Sequence, residues 1–182
     1  MRTIWTVGHS TREWPQFLSL LMQAGIEAVA DVRRYPGSRR HPQFAAATIA
    51  GGLAEAGIEY VPMVDLGGRR NPRKDSPNTA WRNASFRGYA DYMATDEYRK
   101  ARDRLEAIAS TRRTAVMCAE AYWTQCHRSL ISDDLKSRGW TVVHLISPNR
   151  AEEHPYTKAA RIVEGRLDYS APAEPAPQGD LF

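Results

Sequence analysis

Five short apolar runs alternate along this chain with segments of helical periodicity, and that alternation restricts the fold more than any composition figure does. The runs are residues 3–7, 28–32, 58–63, 114–118 and 141–146. Each is too short for a helix and is bounded by glycine or polar residues, so each reads as a buried strand. Between the first two, apolar residues fall at Trp14, Phe17, Leu18, Leu21 and Met22, and Gly25 ends the pattern. That spacing predicts a helix over 14–24. Similar patterns predict helices over 45–56, 86–93, 96–110 and 129–138, and more weakly a short one over 154–163. Strands alternating with helices dictate an α/β fold: a single doubly wound, mostly parallel five-stranded sheet with helices on both faces. At 182 residues with 42% hydrophobic content, the chain is long enough for one sizeable core. Residues 1–169 are expected to form that single domain. Residues 170–177 are Pro/Ala-rich, and 170–182 are expected to be a flexible tail.

Right-handed crossovers place every strand-to-helix loop of such a sheet at its carboxyl edge, where ligands of open α/β sheets bind. Four loops should therefore share one rim. They carry His9 and Ser10; Arg33, Arg34, Arg39 and Arg40; Arg69, Arg70, Arg73 and Lys74; and the segment from Glu120 to Arg128. Guanidinium forks bind phosphate oxygens in pairs, so this rim suits an anionic ligand, including DNA or RNA. Tyr35, Phe44, Trp81, Phe86, Tyr122 and Trp123 interleave with it and could stack on bases. Solvated loops with local ion pairs and ordinary aromatic packing are the plainer alternatives. The net charge of +4 is uneven: residues 168–182 hold three acidic groups and no Lys or Arg, which leaves +7 on the body.

Both cysteines, Cys118 and Cys126, lie in the fourth strand and the loop after it. Cys126 opens a helix beside His127 and Arg128, where the helix N-terminus and the neighbouring cations favour a thiolate. It is the candidate nucleophile, with Cys118 as the other choice and Glu120 as a proton carrier if burial raises its pKa. A buried cysteine acting as a small hydrophobe is the plainer reading. A metal site is a third. Cys118, Cys126 and His127, with Glu120, His9 or His144, would suit zinc, although the Cys-x7-Cys-His spacing matches none of the usual knuckles. The expectation is accordingly no cofactor, with zinc as the ion this donor set would take. No segment has the length and apolarity of a signal peptide or a membrane span, and two cysteines do not make a disulfide scaffold. A cytoplasmic protein with no membrane partner is expected.

Many of these residues fall into motifs in a fixed order. Thr6-Val7-Gly8-His9-Ser10-Thr11, Asp31-Val32-Arg33, Ser38-Arg39-Arg40, Leu66-Gly67-Gly68, the segment from Phe86 to Met93, Met117-Cys118-Ala119-Glu120 and Cys126-His127-Arg128 resemble the family catalogued as domain of unknown function number 488. The resemblance spans roughly residues 3 to 169 and implies no particular activity. A looser similarity is to rhodanese-like domains, which also carry Asp-Val-Arg after an early strand and close a central strand on a catalytic cysteine. The rhodanese-like outline departs after Cys118. No glycine intervenes before Arg128, which lies ten residues on, and a second cysteine is present.

The C-terminus resembles the pentapeptide by which bacterial proteins bind the replication sliding clamp. Gln178, Leu181 and Phe182 match it, and Gly179 departs from it. The combined expectation is a cysteine-dependent enzyme acting on a phosphorylated or nucleic-acid ligand in DNA maintenance. In it His9, Ser10, Arg33, Arg34, Arg39, Arg40, Arg69, Arg70, His127 and Arg128 surround the anion. The alternatives are a non-catalytic nucleic-acid adaptor recruited to the clamp and a metal-binding domain.

Overall fold

The computed structural model describes residues 2–172. Its central sheet has the strand order β3-β2-β4-β1-β5-β6. The strands are β1 (Arg2–Gly8), β2 (Ala28–Asp31), β3 (Glu59–Pro62), β4 (Thr114–Cys118), β5 (Trp140–Ser147) and β6 (Arg150–Glu153). The first five are parallel, and β6 returns antiparallel along β5. The helices are α1 (Trp14–Gln23), α2 (Ala46–Glu55), α3 (Ala84–Met93), α4 (Asp96–Thr111) and α5 (Arg128–Ser137). The five expected strands and five main helices are therefore present, each within a few residues of its expected bounds.

Two expectations fail. The sheet has six strands rather than five, because β6 is an exposed edge strand of Arg-Ala-Glu-Glu and carries no apolar signal. The helix expected over 154–163 does not form. Residues 161–163 are instead β7 (Arg161–Val163), paired with β8 (Arg166–Asp168) in a separate hairpin. Glu164 and Gly165, both at positive φ, make the two-residue turn that glycine permits.

Side-chain alternation along the strands feeds two cores. Val29, Ala115 and Met117 face α1 and α2 with Phe17, Leu21, Ile49 and Leu53. Ala30, Val116 and Cys118 face α3, α4 and α5 with Tyr89, Leu105, Leu130 and Leu135. Helix starts are capped locally: the Asn83 side chain accepts the Phe86 N–H, and Thr95 accepts that of Tyr98. No helix among the described residues is long and apolar enough to cross a membrane. Gln178, Leu181 and Phe182 lie outside the described residues.

A buried polar chain joins the sheet to the segment after β6. The Arg128 guanidinium donates to Thr6 Oγ1 at 3.2 Å, and Thr6 Oγ1 lies 2.6 Å from His144 Nδ1. His144 Nε2 lies 2.9 Å from His154 Nδ1, and His154 Nε2 lies 2.9 Å from Asp133 Oδ1. Asp133 also accepts from the Thr157 N–H, the Thr157 hydroxyl and the Tyr169 hydroxyl. One buried carboxylate therefore fixes residues 154–169 onto α5. Removing it leaves four donors without this acceptor. Asp133→Ala is expected to cost about 3–5 kcal/mol in urea unfolding. Asp103→Ala, which removes only exposed ion pairs with Arg102 and Arg138, should cost less than about 1 kcal/mol.

Candidate functional site

Strand β4 is buried along its whole length between β1 and β2, and it ends on Cys118. The chain then folds back across the end of β1. The His9 N–H donates to the Cys118 carbonyl and the Ser10 N–H to that of Ala119. The carbonyl of Glu120 passes so close to Gly8 that a Cβ there would sit 1.8 Å from it. Glycine is therefore required at Gly8 for the loop to take this path. Arg128, 2% exposed, donates to the carbonyls of Glu120 and Ala121 and fixes the loop from behind. A single turn at Trp123–Gln125 then delivers Cys126 and His127 to the start of α5.

This path brings two cysteines, eight positions apart, to one imidazole. His127 Nδ1 lies 3.6 Å from Cys126 Sγ and 3.9 Å from Cys118 Sγ. Its Nε2 lies 3.1 Å from the Val32 carbonyl oxygen. A carbonyl only accepts, so Nε2 carries a hydrogen, and Nδ1 faces the two sulfurs. Burial pushes the Cys126 thiol up, but a hydrogen bond from Cys118, the charge of Arg128 and the Arg128 N–H outweigh it and hold Cys126 at about 7. The same contact with Cys126, together with burial, pushes Cys118 well up. Cys126 is thus the more readily ionised thiol of the pair, and Cys118 donates to it. No disulfide joins them. The sulfurs and Nδ1 all lie within 4.8 Å of one another, close enough for the three to hold one metal ion.

The trio lines a cavity of about 210 Å³ with Arg33, Arg34, Arg69 and Glu120 at its sides. Within that set the arginines differ. Arg33 is 6% exposed and committed: it grips both Asp31 oxygens and donates to the Phe44 carbonyl. Arg34 and Arg69 are not committed in this way. Arg34 is exposed and donates to the Arg69 carbonyl, and no hydrogen bond engages the Arg69 guanidinium among the described residues. Glu120 is exposed at the mouth, so burial of its carboxylate, the condition attached to its role as a proton carrier, is absent.

The other expected residues stand apart from the cavity. His9 is buried, stacked on Phe44, and donates Nδ1–H to the Ser10 carbonyl while Nε2 faces Arg33. Ser10 turns the chain at positive φ. Arg39 and Arg40 are exposed farther along their loop, and Arg70 lies over the Tyr92 ring. Arg128 is behind the wall. Of the further zinc ligands considered, His9 serves Arg33 and His144 serves Thr6 and His154.

Phe86, expected as one of the rim aromatics, lines the cavity, and so do Ser85 and Gln125, which were not singled out as site residues. Ser85 arrives from the start of α3, which follows a long loop rather than a strand, so the rim argument gave no signal for it. A second, larger groove of about 890 Å³ lies on the other side of Phe86, lined by Trp81, Trp123 and Tyr156.

A family model described as Domain of unknown function DUF488 matches residues 13–135, a stretch that includes the whole cysteine–histidine cluster and its arginines. No curated protein and no solved structure matches the chain.

The histidines packed behind the cavity set an acid limit. His144 is lowered to about 2 by burial and by the charges of His154 and Arg128, and His9 to about 4, chiefly by burial. Each takes a proton on unfolding near its ordinary value but resists it when folded. Stability is therefore complete above about pH 6.5 and falls as pH drops below it, by about 2 kcal/mol per histidine near pH 5. Urea unfolding near pH 7 and near pH 5 should show this loss, and His144→Asn should flatten the pH dependence by about one histidine's share.

Proposed function

This chain belongs to the DUF488 family, and we propose that it is a cysteine-dependent enzyme acting on a phosphate-bearing ligand of nucleotide or nucleic-acid type. The observation that carries the reading is the imidazole Nδ1 facing two cysteine sulfurs in a cavity that Arg34 and Arg69 also line. Cys118, Cys126 and His127 form the reacting centre. Arg34 and Arg69 hold the anion, since their forks are available to a ligand and that of Arg33 is occupied. The aromatic groove beyond Phe86 supports the nucleotide class, because rings next to a phosphate site suit base stacking.

The rhodanese-like outline belongs to the same reading, as a central strand that ends on a cysteine at an anion site. A role in DNA maintenance rests on Gln178, Leu181 and Phe182 as a clamp-binding motif, and a cytoplasmic location on the two free thiols.

The test has a binding arm and a turnover arm. Inorganic pyrophosphate and a short single-stranded oligonucleotide should bind with strong salt dependence. Arg34→Gln and Arg69→Gln should each weaken oligonucleotide binding and lower the salt slope by about 1. Unchanged affinity in both variants would overturn the anion site. Incubation with mixed nucleotides and oligonucleotides, read by mass spectrometry, should consume at least one of them in the native protein and none in Cys126→Ser. Binding without turnover would make the protein an adaptor.

A further inference from the structure

We propose that Cys118, Cys126 and His127 bind a zinc ion whose fourth position opens into the arginine-rimmed cavity, and that the reaction is a hydrolysis by water held on that ion. The proposal rests on the reading above for the class of substrate but not for the metal.

The geometry argues first. Tetrahedral zinc with bonds of about 2.3 Å to sulfur and about 2.0 Å to nitrogen sets each sulfur about 3.5 Å from the nitrogen. The two contacts here are 3.6 and 3.9 Å. The longer of the two is near the limit for a sulfur hydrogen bond, and the one Nδ1 atom cannot serve both sulfurs well. A cation at the centre of the three atoms would use all of them at once.

The surroundings are those of a metal ligand set. A zinc-bound histidine commonly gives its other ring N–H to a carbonyl, which fixes its tautomer. His127 does this with Val32. Cys126 Sγ accepts the Arg128 N–H at 3.5 Å, as a thiolate ligand at a helix start would. Gly68 lies flat against the imidazole, where a Cβ would sit 2.8 Å from Nδ1, so the ring is held in place from the other side. The ligands come from the end of β4 and the start of α5, both rigid elements.

The number of ligands separates a catalytic from a structural role. Structural zinc is closed by four protein ligands, and catalytic zinc keeps one position for water or substrate. Three donors converge here among the described residues, and all three line the cavity. Zinc with two thiolates and a neutral imidazole carries no net charge, so it would not oppose the arginines in drawing in an anion.

Zinc brings the pKa of bound water down to about 7. In the step this permits, the bound water would lose one proton to solvent at the open mouth of the cavity and add as hydroxide to the electrophilic atom of the substrate. The bond to the leaving group would break, and that group would take one proton back from solvent. The sum is the addition of one water, with no oxidant or reductant.

The first test is the metal content of the native protein, by mass spectrometry of the elements. Equimolar zinc is expected. It should be lost in Cys118→Ser, Cys126→Ser and His127→Ala, and kept in Arg34→Gln. Zinc retained by all three ligand variants, or none bound by the folded native protein even after zinc is added, would overturn the proposal. Because ligand variants can misfold, cobalt is added to the metal-free native protein as a second test. Tetrahedral thiolate ligation should give intense visible bands together with a thiolate charge-transfer band, and their absence in protein with native circular dichroism would also overturn it. Oligonucleotide binding that persists without any metal site would sink this inference and leave the anion reading standing. Metal without oligonucleotide binding would do the reverse.

Discussion

The structure depends on one directed line of hydrogen bonds that runs from a buried cation to a buried carboxylate. The Asp133 carboxylate can only accept, so His154 donates to it from Nε2, and the neutral ring takes a hydrogen at Nδ1 from His144 Nε2. His144 Nδ1 then accepts from the Thr6 hydroxyl, whose oxygen accepts from Arg128. Every link points the same way, and each fixes the tautomer of the next. The line passes from α5 through β1 and β5 and back to α5, with residues 154–169 attached at its acidic end. Placing the charges at opposite ends avoids a direct ion pair, and the polar groups between them are satisfied in sequence. Burial, with the charge of Arg128 nearby, keeps His144 neutral.

The cationic end of that line shapes the site without touching its cavity. Arg128 holds the carbonyls of Glu120 and Ala121, and those two residues determine where the loop after Cys118 travels. Arg33 has a parallel role on the other side. It is clamped by Asp31 and the Phe44 carbonyl and backed by His9, so it contributes wall and field rather than a free fork. The site therefore has an inner layer of arginines spent on structure and an outer pair, Arg34 and Arg69, turned to solvent. A guanidinium with its donors already used offers charge to a ligand but little directional bonding.

This division explains how far the sequence could be read. The order of strands and helices followed from the alternation of short apolar runs with helical spacing, because both faces of a parallel sheet are buried and leave a strong imprint. Strand β6 left none, since Arg-Ala-Glu-Glu on an exposed edge buries nothing. The convergence of the loops on one rim also followed from the topology, and with it the company of Cys118, Cys126 and His127. The roles of the arginines did not. Arg33 and Arg34 are neighbours of the same type, and only the folded chain sends the first inward to Asp31 and leaves the second exposed. The contacts of His144 and Asp133 were equally hidden, because their partners, Thr6 and His154, are joined to them only by tertiary packing.

Side-chain alternation along β4 accounts for why the two sulfurs meet. Val116 and Cys118 share the face of β4 that looks toward α5, while Ala115 and Met117 look toward α1 and α2. A shift of one residue in β4 would turn Cys118 away and leave His127 facing Cys126 alone. The register is held by a buried strand on each side, with Gly8 opposite Cys118 on β1 and Asp31 opposite Met117 on β2. Cys126 and His127 are held by the helix they open, and α5 is held by Leu130, Ile131 and Leu135 in the core beneath it. The spacing of the three donor atoms is thus set by strand register and helix docking, the two stiffest features of an α/β domain. A folding staple would need no such support, because its own bonds would order the chain around it. Donors pre-placed by the fold, in a cavity lined by exposed arginines, form an arrangement that costs little reorganisation when a ligand arrives.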